Sequence, residues 1–318
     1  MSPSELMRDR EINLIAILGP TATGKTRFAA HLAHAIGGEI ISADSRQVYR
    51  QMDLGTGKDY EDYRVGSDTV PVHLVDICDP GDKYSVYAFQ EDFHRVFADI
   101  RGRGAMPILC GGTGMYIEAV TKGYQLPQVE RDEVLRERLK DKNLDELRDI
   151  LAGYKTLHNR SDTDTRARAV RAIEIQEYIQ SHPLPSDKQR PEIHPLYFGL
   201  RLERQLSRQR IARRLKQRLD AGMVEEVRQL LDQGLSPEDL IYYGLEYKFL
   251  TQYLIGELDY DTMVQKLHTA ICQFAKRQMT WFRRMERQGI TIHWMDADQD
   301  DDTKLKRTMA IRDLSAES

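Results

Sequence analysis

The chain has 318 residues, 41% hydrophobic and 30% charged, with a formal net charge of −4; that is room for two domains and describes a globular chain rather than a fibrous or disordered one. No run approaches the roughly 20 apolar residues that span a bilayer, the opening "MSPSELMRDREIN" lacks the apolar core of a signal peptide, and no membrane partner is expected. The three cysteines, Cys78, Cys110 and Cys272, form no C-x-x-C pair, which argues against a disulfide framework or a zinc site and fits a reducing cytoplasm.

Along the chain, "INLIAILG" (12–19) is a short apolar run ending in Gly, as in a buried parallel strand. "GPTATGKT" (19–26) follows, and "KTRFAAHLAHAI" (25–36) has helical spacing up to Gly37 and Gly38. "EIISADS" (39–45) reads as a second strand and "VPVHLVDI" (70–77) as a third. Residues 84–104 read as a helix with Phe89, Phe93, Val96, Phe97 and Ile100 on its apolar face. "MPILCGGTG" (106–114) is strand then Gly-rich loop, and "MYIEAVTKG" (115–123) starts another helix. Such alternation predicts an α/β fold, a parallel sheet covered by helices on both faces.

After Gly123 the pattern turns helical and charged over 130–181, and "SHPLPSDKQRPEIHP" (181–195) reads as a linker. "LYFGLRL" (196–202) looks like a strand returning to the sheet, helices follow to about 288, and "GITIHWMD" (289–296) is a last strand. The expected organisation is therefore a P-loop NTPase-like core over 10–122 and 197–297, a helical insertion domain over 123–196, and a flexible tail over 298–318. Charge is unevenly spread: residues 201–218 hold eight basic residues and one acidic, a stripe suited to a polyanion or to a solvated helix face.

The pattern G-x-x-x-x-G-K-[ST] in 19–26 carries the clearest chemistry. Gly19 and Gly24 permit backbone conformations that a Cβ hinders, and the turn through Pro20, Thr21, Ala22 and Thr23 can aim its N–H groups at phosphate oxygens. Lys25 adds a cation, and the Thr26 hydroxyl can hold Mg²⁺. The pattern specifies a di- or triphosphate, with ATP the default. Asp44, just past the second strand, stands where ligands bind in open α/β sheets; it is either a proton acceptor or a loop-capping residue. Thr113, in "CGGTGMY" (110–116), either faces a ligand or caps the next helix.

Taken together, "GPTATGKT", "ISADSRQVYRQMDLGTGK", "HLVDICDP…YSVYAF", "PILCGGTGMYIEAV" and "FAKRQMTWFRR" resemble the tRNA dimethylallyltransferases, or tRNA isopentenyltransferases, in that family's order from about residue 12 to 296. The resemblance implies transfer of a dimethylallyl group from its diphosphate to the exocyclic amine of adenine 37, beside the tRNA anticodon. Diphosphate is released, Mg²⁺ is the cofactor, and the anticodon stem-loop is the partner. It implies that Asp44, Thr113 and Arg214 are catalytic and that residues 19–26 hold the diphosphate. Asp44, Ser45, Arg46, Gln47, Arg168, Arg171, Lys276, Arg277 and Gln278 are then expected on tRNA, with Trp281 and Phe282 packing in the core. The enzyme is expected to act as a monomer. The chain departs from the family pattern at "HNRSDTDTR" (158–166) and at "GLEYKF" (244–249). Alternatives on the same scaffold are an adenylate isopentenyltransferase, a small-molecule kinase using Asp76 to organise Mg²⁺, and a non-catalytic RNA-binding ATPase.

Overall fold

The computed structural model describes residues 11–154, 163–182 and 190–316. The first ten residues, the altered stretch over 158–162 and the linker over 183–189 lie outside the described residues. Two compact units result, one of Met1–Gly123 with Pro191–Ser318 and the other of Tyr124–Arg190.

The larger unit is built on six parallel strands: β1 (Leu14–Leu18), β2 (Gly38–Ala43), β5 (Val72–His73), β6 (Met106–Gly111), β7 (Pro195–Arg201) and β8 (Ile292–Asp296), in the order β5-β2-β6-β1-β7-β8. All five residues of β1 are buried, as a central strand covered on both faces requires. Alternation divides them: Leu14, Ala16 and Leu18 face one apolar layer and Ile15 and Ile17 the other. The first layer comes from α2 (Val86–Gly102), α3 (Gly114–Thr121) and the end of α11 (Tyr260–Arg287), through Phe89, Phe93, Ile117, Phe282 and Met285. The second is dominated by α1 (Lys25–Ile36), through Phe28, Ala29, Leu32 and Ala33. At roughly 1.5–3 kcal/mol per buried large apolar side chain, these two layers are the main driving force for the sheet.

The expected third strand is cut short. Only Val72 and His73 pair with β2, because Leu74 and Asp76 take left-handed backbone (φ 62° and 55°), which ends extended pairing. A short helical turn (Tyr60–Tyr63) and a two-residue hairpin of β3 (Arg64–Val65) with β4 (Asp68–Thr69) precede it, too brief to leave a periodic signal.

Beyond β7 the chain forms α7 (Arg204–Asp220), α8 (Met223–Asp232), α9 (Pro237–Tyr242), α10 (Leu245–Leu254) and α11. Their shared core takes in Val48, Tyr49 and Met52 from the loop after β2. The smaller unit holds α4 (Glu133–Arg138), α5 (Leu144–Tyr154) and α6 (Arg166–Ser181) around Leu135, Leu147, Leu151, Val170 and Ile173.

The expected flexible tail is corrected: α12 (Asp301–Ala316) is a helix. Leu305, Met309 and Ile311 pack on the α1 side of the sheet, and Thr308 is fully buried. Asp301 pairs with Lys304 (2.7 Å) and with Arg27 of α1 (3.2 Å). The charge of the segment masked its apolar spacing. Removing residues 301–318 should lower the thermal midpoint by at least about 5 °C, since the lost apolar contacts are worth about 2 kcal/mol or more; a free tail would leave the melt unchanged.

Candidate active site

The P-loop leaves the C-terminal end of the central strand β1, where open parallel sheets hold ligands. Gly19 lies close under Leu200 of β7, and buried Thr23 donates its hydroxyl to the Pro20 carbonyl at 2.9 Å. Ala22 and Gly24 both take left-handed backbone (φ 64° and 73°). Gly24 does so without strain, whereas Ala22 carries a Cβ there, and such strain concentrates where ligands bind. This curl delivers Lys25 and Thr26 to the first turn of α1, whose N-terminus adds a positive dipole end.

Asp44 follows β2 directly. Its Oδ1 accepts the Arg46 N–H at 2.9 Å, so it does cap its own loop, but Oδ2 makes no hydrogen bond to a described residue. Thr113 stands at the N-cap position of α3 without making a side-chain cap bond. Its Oγ1 instead accepts the Ser45 N–H at 3.3 Å, and its N–H reaches the Ala43 carbonyl at 3.3 Å. The ends of β2 and β6 are thus tied together. Gln47 donates to the Gly57 carbonyl at 2.9 Å, and Arg46 lies over the ring of exposed Tyr242, 5.5 Å from its centroid.

Arg214 of α7 faces this group, while its neighbour Arg213 is exposed to solvent. The Arg214 Nη2 is 3.6 Å from Asp59, and its buried Nε has no hydrogen-bond partner. Arg218, one turn further on, is 3.1 Å from Asp59. Burial, with the Arg214 charge adding, pushes Arg218 down to about 10. Lys25 is also lowered, by burial first and then by Arg214, against the opposing pull of Asp44. A cavity of about 20 Å³ between Thr21, Ala22, Arg214, Arg218 and Glu246 has room for roughly one water. Burial raises the Glu246 carboxyl there.

A larger cavity of about 750 Å³ opens beside Pro20, between α7 and α11. Arg201, Arg204, Arg208, Lys276 and Arg283 line it, with no acidic residue among its walls. Exposed Arg277 lies at 5.9 Å over Phe274. Gln278 needs correcting: expected on tRNA, it is buried, accepting the Thr21 N–H at 2.9 Å and donating to the Gly112 carbonyl at 3.0 Å. It joins the P-loop to the Gly-rich turn after β6. Trp281 and Phe282 pack in the core, Trp281 against Gly114 with Arg284 over its ring at 3.9 Å.

In the smaller unit Arg168 is exposed, 3.3 Å from Asp164, a pairing worth little at the surface. Arg171 is committed within its own unit, to Glu174 (3.0 Å) and to the Val129 (2.6 Å) and Glu130 (3.3 Å) carbonyls. Glu174 is fully buried; burial would raise its carboxyl, but the Arg136 and Arg171 hydrogen bonds outweigh this and hold it low. Arg171 therefore helps hold the unit together, while its side chain stays partly at the surface.

Among the described residues, no three His, Cys, Asp or Glu side chains converge to hold a metal alone. A cation at Thr26 fits only by sharing ligands with a bound phosphate, as Mg²⁺ does. Asp76, the acid a kinase would need, bonds through its two oxygens to Lys58 and Tyr60. Sequence reasoning missed Asp59, Arg218 and Glu246. Arg218 was within reach, four residues from Arg214 on one helix face; Asp59 and Glu246 carry no local signal.

Fold and site define a P-loop α/β protein whose loop is faced by half-buried arginines and lacks a free acid at the kinase position. The chain matches the IPP transferase family over residues 47–285 and the isopentenyl transferase family over residues 12–68. It belongs to the IPP transferase family. It is 58% identical over 302 residues to tRNA dimethylallyltransferase 1 of Parabacteroides distasonis, covering 95% of this chain and 98% of that one. It is 60% identical over 284 residues to tRNA dimethylallyltransferase 1 of Porphyromonas gingivalis, covering 89% and 94%. The crystal structure of the tRNA isopentenylpyrophosphate transferase from Bacillus halodurans superposes with a TM-score of 0.71 at 32% identity, covering 96% and 97%.

A diphosphate bound on the 19–26 loop would give Lys25 the counter-charge that burial withholds, so binding there should take up protons below its ordinary 10.5. Pyrophosphate affinity should fall as pH rises through the lowered Lys25 value. Calorimetry in two buffers of different ionisation enthalpy measures the uptake. Lys25→Met should abolish it; uptake that persists assigns the proton elsewhere.

Proposed function

We propose that this chain transfers the dimethylallyl group of dimethylallyl diphosphate to the exocyclic amine of adenine 37 in tRNA, releasing diphosphate. The observation that carries this reading is the set of half-buried cations, Lys25, Arg214 and Arg218, gathered at a P-loop whose neighbouring acid is Asp44 rather than a free Asp76.

The diphosphate lies on the 19–26 loop, with Lys25, Thr113 and Arg214 around it. Arg214 has the unpaired Nε expected of a residue awaiting an anion. Thr26, together with phosphate oxygens of the donor, would hold Mg²⁺, which would supply positive charge for the leaving diphosphate. The adenine amine attacks the allylic carbon, a carbon–nitrogen bond forms, and the carbon–oxygen bond to diphosphate breaks. Charge grows on the diphosphate as that bond lengthens, and the fixed cations act on it without reorganising. The amine is a poor nucleophile because its lone pair is delocalised into the ring. Asp44 orients it through the oxygen left out of the Arg46 turn and takes its proton.

The base must leave its stack to reach this point, where Ser45, Arg46 and Gln47 flank it. Lys276 and Arg277, with the basic walls of the larger cavity, meet RNA phosphates. Residues 123–196 act as a helical insertion that adds tRNA contacts, led by Arg168. The enzyme acts as a monomer in the cytoplasm, where its tRNA substrate is found. Among the described residues no helix is long and apolar enough to cross a membrane.

Asp44→Ala should lower kcat by about 10²–10⁴-fold while tRNA binding by filter retention stays near normal; near-normal turnover would remove Asp44 as the base. Arg168→Ala should reduce the salt slope of tRNA binding by about 1. Arg171→Ala should instead destabilise the insertion, measured as hydrogen exchange over α4–α6. An unchanged salt slope in Arg168→Ala would leave that residue without an RNA role.

A further inference from the structure

Glu226 of α8 lies outside every motif, yet it makes the densest set of hydrogen bonds to the loop after β2. Its Oε2 accepts the N–H groups of Asp53 (2.9 Å) and Leu54 (2.7 Å); its Oε1 accepts the Gly55 N–H (3.0 Å) and the Tyr247 hydroxyl (2.7 Å). Three consecutive backbone donors converging on one carboxylate form charge-assisted bonds, shorter and stronger than neutral ones.

The segment so held reaches the site on two sides. Gly57 has left-handed backbone (φ 75°) and lies so close to Arg214 and Arg218 that a Cβ there would come within 2.3 Å of each Nη2. Asp59 pairs with the same two arginines. The Gly57 carbonyl accepts from Gln47, three residues from Asp44. Asp53 and Lys58 close the loop on itself: the Gly57 and Lys58 N–H groups bond to the Asp53 carbonyl (2.8 and 3.0 Å), and fully buried Lys58 Nζ bonds to Asp53 Oδ1 (2.8 Å). A displacement of residues 53–55 is thereby passed to Gly57 and Asp59.

We propose that Glu226 is a positioning residue for prenyl transfer: by clamping the 53–55 amides it sets the 57–59 backbone against Arg214 and Gln47, and so fixes both the diphosphate cation and the adenine-side loop. The inference rests on the roles given above to Arg214 and Gln47. Glu226 touches neither substrate and acts through the loop. Its isostere, Gln, turns an NH₂ group toward backbone donors and loses at least one acceptor, while volume is kept.

The test is a double-mutant cycle in the full chain, with KM for dimethylallyl diphosphate, kcat with unmodified tRNA, pyrophosphate affinity and the thermal midpoint as readouts. Glu226→Gln should weaken pyrophosphate binding and raise the donor KM about tenfold, with the melt shifted by only a few degrees. Added to Arg214→Ala it should weaken pyrophosphate binding little further, because for that ligand both changes act on one element. Gly57→Ala, which displaces the arginines directly, should reproduce the Glu226→Gln pattern, and Glu226→Asp should restore part of the loss. Purely additive losses, or wild-type donor KM in both Glu226→Gln and Gly57→Ala, overturn the proposal. If Glu226→Gln does not fold, Glu226→Asp and Gly57→Ala decide by the same readouts. An Arg214→Ala variant with normal pyrophosphate affinity would instead overturn the reading of Arg214, whatever Glu226 does.

Discussion

Three like charges held close together at the end of β1 are the constraint around which the rest is arranged. Lys25, Arg214 and Arg218 are each partly withdrawn from water, and the Arg214 charge pushes the other two further toward losing their protons. Repulsion between like charges is stronger in such a partly desolvated site than in water, and it opposes the folded arrangement. The nearby carboxylates relieve it only partly. Asp59 is shared between both arginines, and burial favours the neutral forms of Asp62 and Glu246. A ligand carrying several negative charges relieves the repulsion more than one carrying a single charge.

Holding such a cluster in place takes a scaffold that is long-range in sequence. The P-loop is tied to helix α11 through the Thr21–Gln278 bond, across 257 residues. The same Gln278 reaches Gly112 on the neighbouring strand end. The loop from Asp44 to Asp59 is buried against the helical core through Val48, Tyr49 and Met52, and is fixed at its far end by Glu226. The site is therefore shared between sheet and C-terminal helices. Loosening α8 or α11 would be felt at the phosphate cradle without any change to the cradle's own residues.

This division explains what could be read from the sequence. Five of the six strands and the apolar face of α2 follow from local periodicity, as does the cradle, whose glycines, lysine and threonine occupy fixed spacings. The placement of Asp44 and Thr113 beside each other at neighbouring strand ends was legible, because each follows directly on an apolar run. Gln278 was misread because its neighbours Lys276 and Arg277 are exposed and basic, and one turn of helix separates outward from inward positions. The structural bonds of Arg171 were not legible because its carbonyl partners, Val129 and Glu130, lie some 40 residues away in the chain. The tail was misread because charges dominate α12 and only three apolar residues anchor it. In each case the deciding contact was tertiary, and local pattern had no access to it.

The same constraint also separates this chemistry from phosphoryl transfer on a related cradle. A kinase must stabilise charge spread over a phosphoryl group in flight between two oxygens, and a free acid to organise metal is part of that device. Here Asp76 is spent on Lys58 and Tyr60, and the cations cluster on the side where a leaving diphosphate would sit. When a carbon–oxygen bond breaks, negative charge on the diphosphate increases and the phosphorus atoms keep their bonds. A cluster of cations whose own repulsion is relieved by added negative charge then binds the departing group more tightly than the intact donor. Differential binding of that kind accelerates a chemical step as well as holding the substrate, so in the proposed reaction the crowding of Lys25, Arg214 and Arg218 that weakens the empty site would also supply catalytic leverage.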